Sequence, residues 1–178
     1  MIRIVLFLVL TATGIAAQEA ETQSPINEPP MTYERLGKIL FALDPEAQPH
    51  GPGFELTISE VRVFVVTDTN ADRMRVMVPI RSADGLSQAD MQRMMQANFD
   101  TALDARYAIA NGRVWAVFLH PLLSLEKDQL ISGIAQTVNI ALTYGTLYSS
   151  GGAQFGGGDS GELQQELFKE LLKKGEEI

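Results

Sequence analysis

The sequence predicts an α+β domain in which an antiparallel sheet of about five strands carries helices on one face. The predicted element order is α-β-β-β-α-β-β-α, with an additional C-terminal amphipathic helix. Apolar and β-branched residues alternate in short segments joined by polar turns, as strands of a half-buried sheet require. In other segments the apolar residues recur every three or four positions, which is typical of helices with one buried face. Most strand-like segments follow one another directly, which favours hairpins and antiparallel pairing.

Composition excludes several classes of function. The chain has 178 residues, enough for one domain, with 46% hydrophobic and 20% charged residues. It contains no cysteine and only two histidines, so thiol nucleophiles, disulfides and multi-histidine metal centres are excluded. The net charge of −8 argues against a nucleic-acid-binding surface. Composition alone does not exclude other catalysis, but with the motifs described below we expect no catalytic residues, no cofactor and no metal site.

The first 17 residues have the pattern of a secretory signal peptide. Arg3 is followed by the apolar run Ile4–Leu10 and then by small residues, with the expected cleavage after Ala17. A retained membrane anchor is the alternative. The uncharged stretch 4–17 is shorter than the roughly 20 residues needed to span a bilayer. The sequence thus predicts a periplasmic or secreted protein that is not stably inserted in a membrane after cleavage.

The first half of the mature chain is predicted to form a helix and three strands. Residues 18–31 are polar and proline-rich and predict a flexible leader before a domain at 32–148. Thr32 is the expected cap of a helix that Asp44-Pro45 ends. Pro79, near the end of the third strand, favours an edge or terminal position. The three predicted strands are Phe54–Ile58, Val61–Thr67 and Met74–Ile80.

The second half is predicted to form a helix, a hairpin and a long helix. Ser87 and Asp90 predict the start of the second helix. Its apolar positions favour core packing, with an adaptable binding surface as the alternative; they are Met91, Met94, Met95, Phe99 and Ala102. Asn111-Gly112 predicts a tight hairpin between Arg106–Ala110 and Arg113–His120. Ser124 is the expected cap of a helix that reaches about Tyr144, whose apolar positions are Leu130, Ile134, Val138 and Leu142.

The end of the chain is predicted to be a glycine-rich linker, residues 149–161, and a short amphipathic helix, residues 162–174. An isolated helix of this length is marginal in water. We therefore expect it to dock on its own domain or on a second copy.

The core of the sequence resembles the type III secretion chaperone-like fold, in particular the YbjN family of bacterial domains. The resemblance covers residues 32–148 and is strongest over Met91–Tyr144. It implies non-enzymatic protein binding, often as a dimer, and supplies no catalytic residues. The secretion chaperones act in the cytoplasm, whereas this chain carries an export signal. The residues that carry the resemblance are Ala97-Asn98-Phe99, Ala105–Ile109, Asn111–Val117, His120-Pro121-Leu122 and Leu125.

Two short motifs are better explained as loops than as sites. Gly157–Gly161 is similar to a serine-protease nucleophile loop, but it lies in the predicted linker and only His50 or His120 could act as its base. Asp68-x-Asn70-x-Asp72 is similar to the first half of a calcium loop. Its later positions hold Arg73 and Pro79 rather than the glycine and glutamate that such a loop needs.

The leading hypothesis is a protein-interaction module that forms a homodimer. Alternation places Trp115, Val117 and Leu119 on one face of a strand, where core burial is favoured and a partner surface is the alternative. Leu163, Leu167 and Leu171 line one side of the C-terminal helix and are further candidate partner-binding residues. A groove beside the helix from Ser124 to Tyr144 is a second candidate docking site. The alternatives are a periplasmic carrier of an apolar ligand, and a small hydrolase using Glu60, Asp104 or His120.

Overall fold

The structure is a computed structural model that describes residues 28–100, 103–145 and 160–176. The predicted signal peptide, most of the leader and nearly all of the linker lie outside these residues. The described chain is an α+β fold with ten elements: α1 Tyr33–Leu43, β1 Gln48–His50, β2 Gly53–Ile58, β3 Val61–Asp68, β4 Arg73–Ser82, α2 Gln88–Asp100, β5 Arg106–Ala110, β6 Arg113–His120, α3 Lys127–Leu142 and α4 Ser160–Gly175. None of the helices in these ranges combines the length and apolar character needed to cross a bilayer.

The sheet has six antiparallel strands in the order β1-β2-β3-β4-β6-β5. The fold class is as predicted, with one strand more than expected. The additional strand is β1, which is only three residues long and fully exposed. It lies in a segment that we interpret from the sequence as a Pro/Gly loop. A short exposed edge strand buries no apolar side chain, so it leaves no alternation in the sequence.

The prediction that Pro79 lies at an edge or at a strand end is wrong. Strand β4 lies inside the sheet between β3 and β6, and Pro79 is followed by three more strand residues. The register with β6 shifts between Pro79 and Arg81. A proline cannot donate a ladder hydrogen bond, and a bulge is the other place where a sheet accommodates it.

Two tight turns require positive φ angles. Asn111 and Gly112 have φ of 51° and 70° and join β5 to β6, as predicted. The β2–β3 turn has the same geometry at Ser59 and Glu60, with φ of 48° and 64°. Neither residue favours the left-handed region, so this second turn stores backbone strain.

We expect the double substitution Ser59→Asn/Glu60→Gly to raise the free energy of unfolding by about 1 kcal/mol. Asn and Gly adopt positive φ angles at a lower free-energy cost than Ser and Glu. This gain exceeds the loss of stability that comes from the greater conformational entropy of glycine in the unfolded chain. Urea unfolding followed by circular dichroism measures the change. Gly112→Ala is the matched control and should destabilise, because it introduces at the other hairpin the strain that the double variant removes. An unchanged midpoint for the double variant would contradict the strain assignment.

Helices α1 and α3 pack on one face of the sheet and enclose the core. Core side chains from the strands include Val63, Val65, Val76, Val78 and Phe118. Gly133 allows α3 to approach closely, since a Cβ at this position would lie 2.6 Å from the Phe118 ring. The space between sheet and helices is filled by these side chains and by fully buried residues of the helices, which include Leu36, Leu40, Leu130 and Ile134.

Helix α3 begins later than the sequence predicts. Its N-cap is Glu126 rather than Ser124, and the Glu126 N–H donates to the Gln129 side chain at 3.0 Å. The helix ends at Leu142, whose side chain is exposed rather than part of the predicted apolar stripe. Nearly every residue between Leu130 and Ile140 is buried, because the sheet covers one side of α3 and α4 packs on the other.

The residues just before Thr32, where the sequence predicts the domain to begin, contact the rest of the structure. Met31 is fully buried, and its N–H donates to the Leu123 carbonyl at 3.3 Å. Glu28 accepts hydrogen bonds from Arg35 and from the Lys127 N–H. Desolvation raises the pKa of Glu28, but these hydrogen bonds together with the charges of Arg35 and Lys127 outweigh it and lower the pKa overall. The chain just before α1 is thereby fixed to the start of α3.

Candidate interaction surfaces

The two faces of the sheet differ in what covers them. One face belongs to the core under α1 and α3, whereas the apolar residues of the other face are absent from the core cluster. We call this second face the open face. Alternation along the strands and the pairing register assign its apolar members, which are Phe64, Val66, Met77, Trp115, Val117 and Leu119.

The structure places Trp115, Val117 and Leu119 on the open face. The expectation that this row joins the core is therefore wrong; Val114, Ala116 and Phe118 fill the core instead. Leu119 is 55% exposed and Trp115 is partly exposed. Val117 is buried, and its register partners on the neighbouring strands are Met77 and Arg106. Alternation alone could not decide between the faces, because β6 is apolar on both.

Arginines frame the apolar residues of the open face. The Arg62 guanidinium lies 5.1 Å from the centre of the Phe64 ring and donates a hydrogen bond to Glu55. That hydrogen bond lowers the pKa of the Glu55 carboxyl and raises the pKa of Arg62. Arg75 lies directly opposite Leu119, and Arg106 directly opposite Val117. Sequence reasoning missed this pattern, although the alternation in β3 and β4 places Arg62, Arg73 and Arg75 in phase with Phe64 and Met77.

The second apolar surface is the outer side of α2. Met94 is buried, but Met91, Met95 and Phe99 are exposed, so the prediction that they pack in the core is wrong. Together with Gln88, Gln92 and Gln96 they line a shallow groove of about 720 Å³. We call these six residues the α2 face. The predicted helix start is confirmed, since Ser87 and Asp90 exchange side-chain hydrogen bonds with each other's backbone. Ala102 lies outside the described residues.

Two of the three candidate acid–base residues line one cleft at the end of β6. Asp104 and His120 contribute to it with Asp128, Ser132 and Gln136, and its volume is about 440 Å³. The Asp104 carboxylate accepts from the Gln136 amide at 3.3 Å, and the His120 Nδ1 lies 2.8 Å from the Pro121 carbonyl oxygen. Glu60 lies in the β2–β3 turn and not in this cleft. The Asp104 carboxylate and the His120 imidazole are thus each positioned by a neighbouring residue rather than by each other.

Two carboxylates of the candidate calcium motif accept hydrogen bonds from backbone N–H groups. Asp68 accepts hydrogen bonds from the Asn70 and Ala71 N–H groups. The Asp72 carboxylate accepts from the Leu123 N–H at 2.7 Å and so holds the loop between β6 and α3.

Helix α4 occupies the groove beside α3 that we considered as a docking site. It packs on α3 and α1 of its own chain. Leu171 is fully buried and Leu167 nearly so, while the Leu163 side chain lies outside the described residues. The Lys127 ammonium donates to the Gly175 carbonyl at 3.1 Å and ties the end of α4 to the start of α3.

Comparisons with known proteins place the fold. Searches against protein families and against curated proteins find no match for this sequence. A chain from the crystal structure of the ExsC–ExsE complex matches with a TM-score of 0.52 at 14% identity, covering 68% of this chain and 99% of its own. The type III secretion chaperone SycH of Yersinia pestis, in complex with a fragment of YscM2, matches at 0.46 with 16% identity, covering 61% and 98%. A chain of the HopA1–SchA chaperone–effector complex matches at 0.46 with 13% identity, covering 61% and 92%. The fold is therefore like that of the matched chain in the ExsC–ExsE complex.

Proposed function

We propose that this protein is an exported, non-enzymatic interaction module that binds a protein partner on the open face and forms a homodimer through the α2 face. One observation carries the proposal: the sheet has a second apolar surface that takes no part in the core. Apolar side chains that share an open surface and include the half-exposed Leu119 are typical of interaction sites. The structural neighbours, which include secretion chaperones in complex with other proteins, are consistent with binding rather than catalysis.

Charge distinguishes the two surfaces. The α2 face presents three glutamines with its methionines and Phe99, so two copies can meet there without like-charge repulsion. Two open faces would bring arginines against arginines, which costs affinity. The α2 face therefore suits self-association, and the open face suits a different molecule. A closed dimer with twofold symmetry uses one such self-complementary patch.

The matched pair Met95→Glu and Leu119→Glu tests this division. The two side chains are 56% and 55% exposed, so the same substitution should disturb the monomer equally little. We expect residues 18–178 to be a dimer by light scattering, Met95→Glu to be a monomer, and Leu119→Glu to remain a dimer. A dimer that survives Met95→Glu would overturn the assignment of the interface.

Partner binding is tested by a photoreactive residue placed at Leu119 in cells that make the protein. Leu123, which is 57% exposed and lies outside the sheet, is the control position. We expect a discrete protein adduct from position 119 and none from position 123. Identical adducts from both positions, or none from either, would contradict the proposal.

Amino-terminal sequencing of the cellular protein tests export and should give Gln18 as the first residue.

A further inference from the structure

The open face carries an excess of positive charge in an acidic chain. Strand alternation assigns five arginines to it but only two carboxylates, Glu55 and Asp68. The chain as a whole has 14 basic residues and a net charge of −8, so this one face holds a large share of its cations. All of these cations are arginine, the residue best suited to bind carboxylates in a bidentate geometry. They are Arg62, Arg73, Arg75, Arg106 and Arg113.

The arginines of the open face differ in whether a carboxylate is paired with them. Arg62 is paired with Glu55, and the Asp68 carboxylate is engaged by its own turn. Arg75 is exposed, and its side chain makes no hydrogen bond or ion pair with any residue in the described ranges. It lies beside the exposed Leu119 across the β4–β6 pair. Within the described ranges, the face therefore presents a guanidinium that forms no ion pair, next to the half-exposed side chain of Leu119.

The apolar row is continuous across three strands. Phe64 pairs with Met77, and Met77 pairs with Val117, so the three side chains form one line perpendicular to the strands. Three neighbouring strands span about 10 Å, roughly the diameter of one helix. Arg106 ends the row on β5, and Arg62 and Arg75 flank it on either side. A ligand that fits needs apolar groups in the middle and negative groups at the margins.

We propose that the open face binds an acidic amphipathic segment of a partner protein, one with apolar side chains flanked by Asp or Glu on the same surface. This deepens the proposed function and rests on it, since it specifies the chemistry of the partner. Such a segment fills the Phe64–Met77–Val117 row and places carboxylates against the arginines. A nucleic acid would also neutralise the arginines, but its phosphates would leave the apolar row uncovered. The net negative charge of the chain also opposes the approach of a nucleic acid.

The chain contains a single tryptophan, Trp115, on the open face. Its fluorescence reports binding at this surface in the intact protein. Three synthetic peptides of about 14 residues, roughly four helical turns, serve as probes. The first has a leucine and phenylalanine stripe flanked by glutamate, the second has lysine at the glutamate positions, and the third has alanine in place of the stripe. We expect only the first to change the emission, and added salt to weaken its binding.

Arg75→Glu is the diagnostic variant and should weaken binding of the acidic peptide about tenfold or more. Lys38→Glu makes the same charge change at an exposed site on α1 and should leave the affinity unchanged. Tighter binding of the lysine peptide or of oligothymidylate would overturn the inference, as would equal effects of the two variants. Equal binding of the acidic and lysine peptides would overturn the charge selectivity but leave the open face as a binding surface. If no peptide changes the emission, the inference falls, and the adduct from position 119 decides the proposed function separately.

Discussion

Gln136→Leu is expected to lower the free energy of unfolding by about 3 kcal/mol, because two backbone N–H groups lose their acceptor. Gln136 is 5% exposed. Its Oε1 accepts from the N–H groups of Asp104 and Ala105 at 2.7 and 3.1 Å, and its Nε2 donates to Asp104 and Ser132. This side chain thus attaches the segment before β5 to α3. Leucine has a similar volume, so the loss measures the hydrogen bonds and not a cavity.

Two further variants isolate the cause. Gln129→Leu changes an exposed glutamine on the same helix and should cost about 1 kcal/mol or less, since it affects only the helix cap. Gln136→Glu keeps the acceptor for both N–H groups but brings a second carboxylate against Asp104. Burial and like charge should raise the folded-state pKa of the new carboxyl above its unfolded value. Its cost should therefore be largest at neutral pH and shrink as the pH falls towards and below the folded-state pKa. Urea unfolding at neutral pH and at a pH below the folded-state pKa measures this change. A loss of stability that is the same at both would contradict the mechanism.

The sequence predicts those elements whose apolar pattern has a single interpretation. The β5–β6 hairpin is confirmed residue by residue, because Asn111-Gly112 fixes the turn and the strands flank it directly. Helix α1 is confirmed from Thr32 to Asp44 for the same reason, since its cap accepts the Arg35 N–H at 3.2 Å and its end is marked by a proline. These boundaries are predictable because the turn, cap and proline residues that set them lie next to the elements in the sequence.

The candidate surfaces are less predictable because burial depends on residues distant in the chain. The methionines of α2 have core-like spacing, yet α2 contacts the sheet mainly at the edge strand β5, and Met94 is buried whereas Met91 and Met95 are exposed. The sequence correctly places Trp115, Val117 and Leu119 on one face of β6, but the separation of that face from the core follows from where α1 and α3 lie. The arginine frame needs the register between β3, β4 and β6, which no single segment encodes.

Leu171→Ala is expected to destabilise α4 by about 2–5 kcal/mol, the cost of truncating a fully buried leucine. Leu171 is 0% exposed, and Gly175 in the next turn approaches Ile131 of α3 so closely that a Cβ would lie 2.7 Å from Ile131 Cδ1. A helix of 16 residues is marginal in water without such packing. Loss of docking should therefore unfold α4 while the sheet persists. Hydrogen exchange of the α4 amides measures this, with the exposed Lys169→Ala as the control.

A chain that ends at residue 145 separates the role of α4 from that of the proposed interface on the α2 face. Removing α4 uncovers the side of α3 that carries the buried Ile131, so we expect this truncated chain to unfold at lower urea and to associate further than a dimer. Adding Met95→Glu to the truncated chain should not restore the monomer, because the new association uses α3. If instead the truncated chain is a monomer while the full chain is a dimer, α4 rather than the α2 face holds the two copies together.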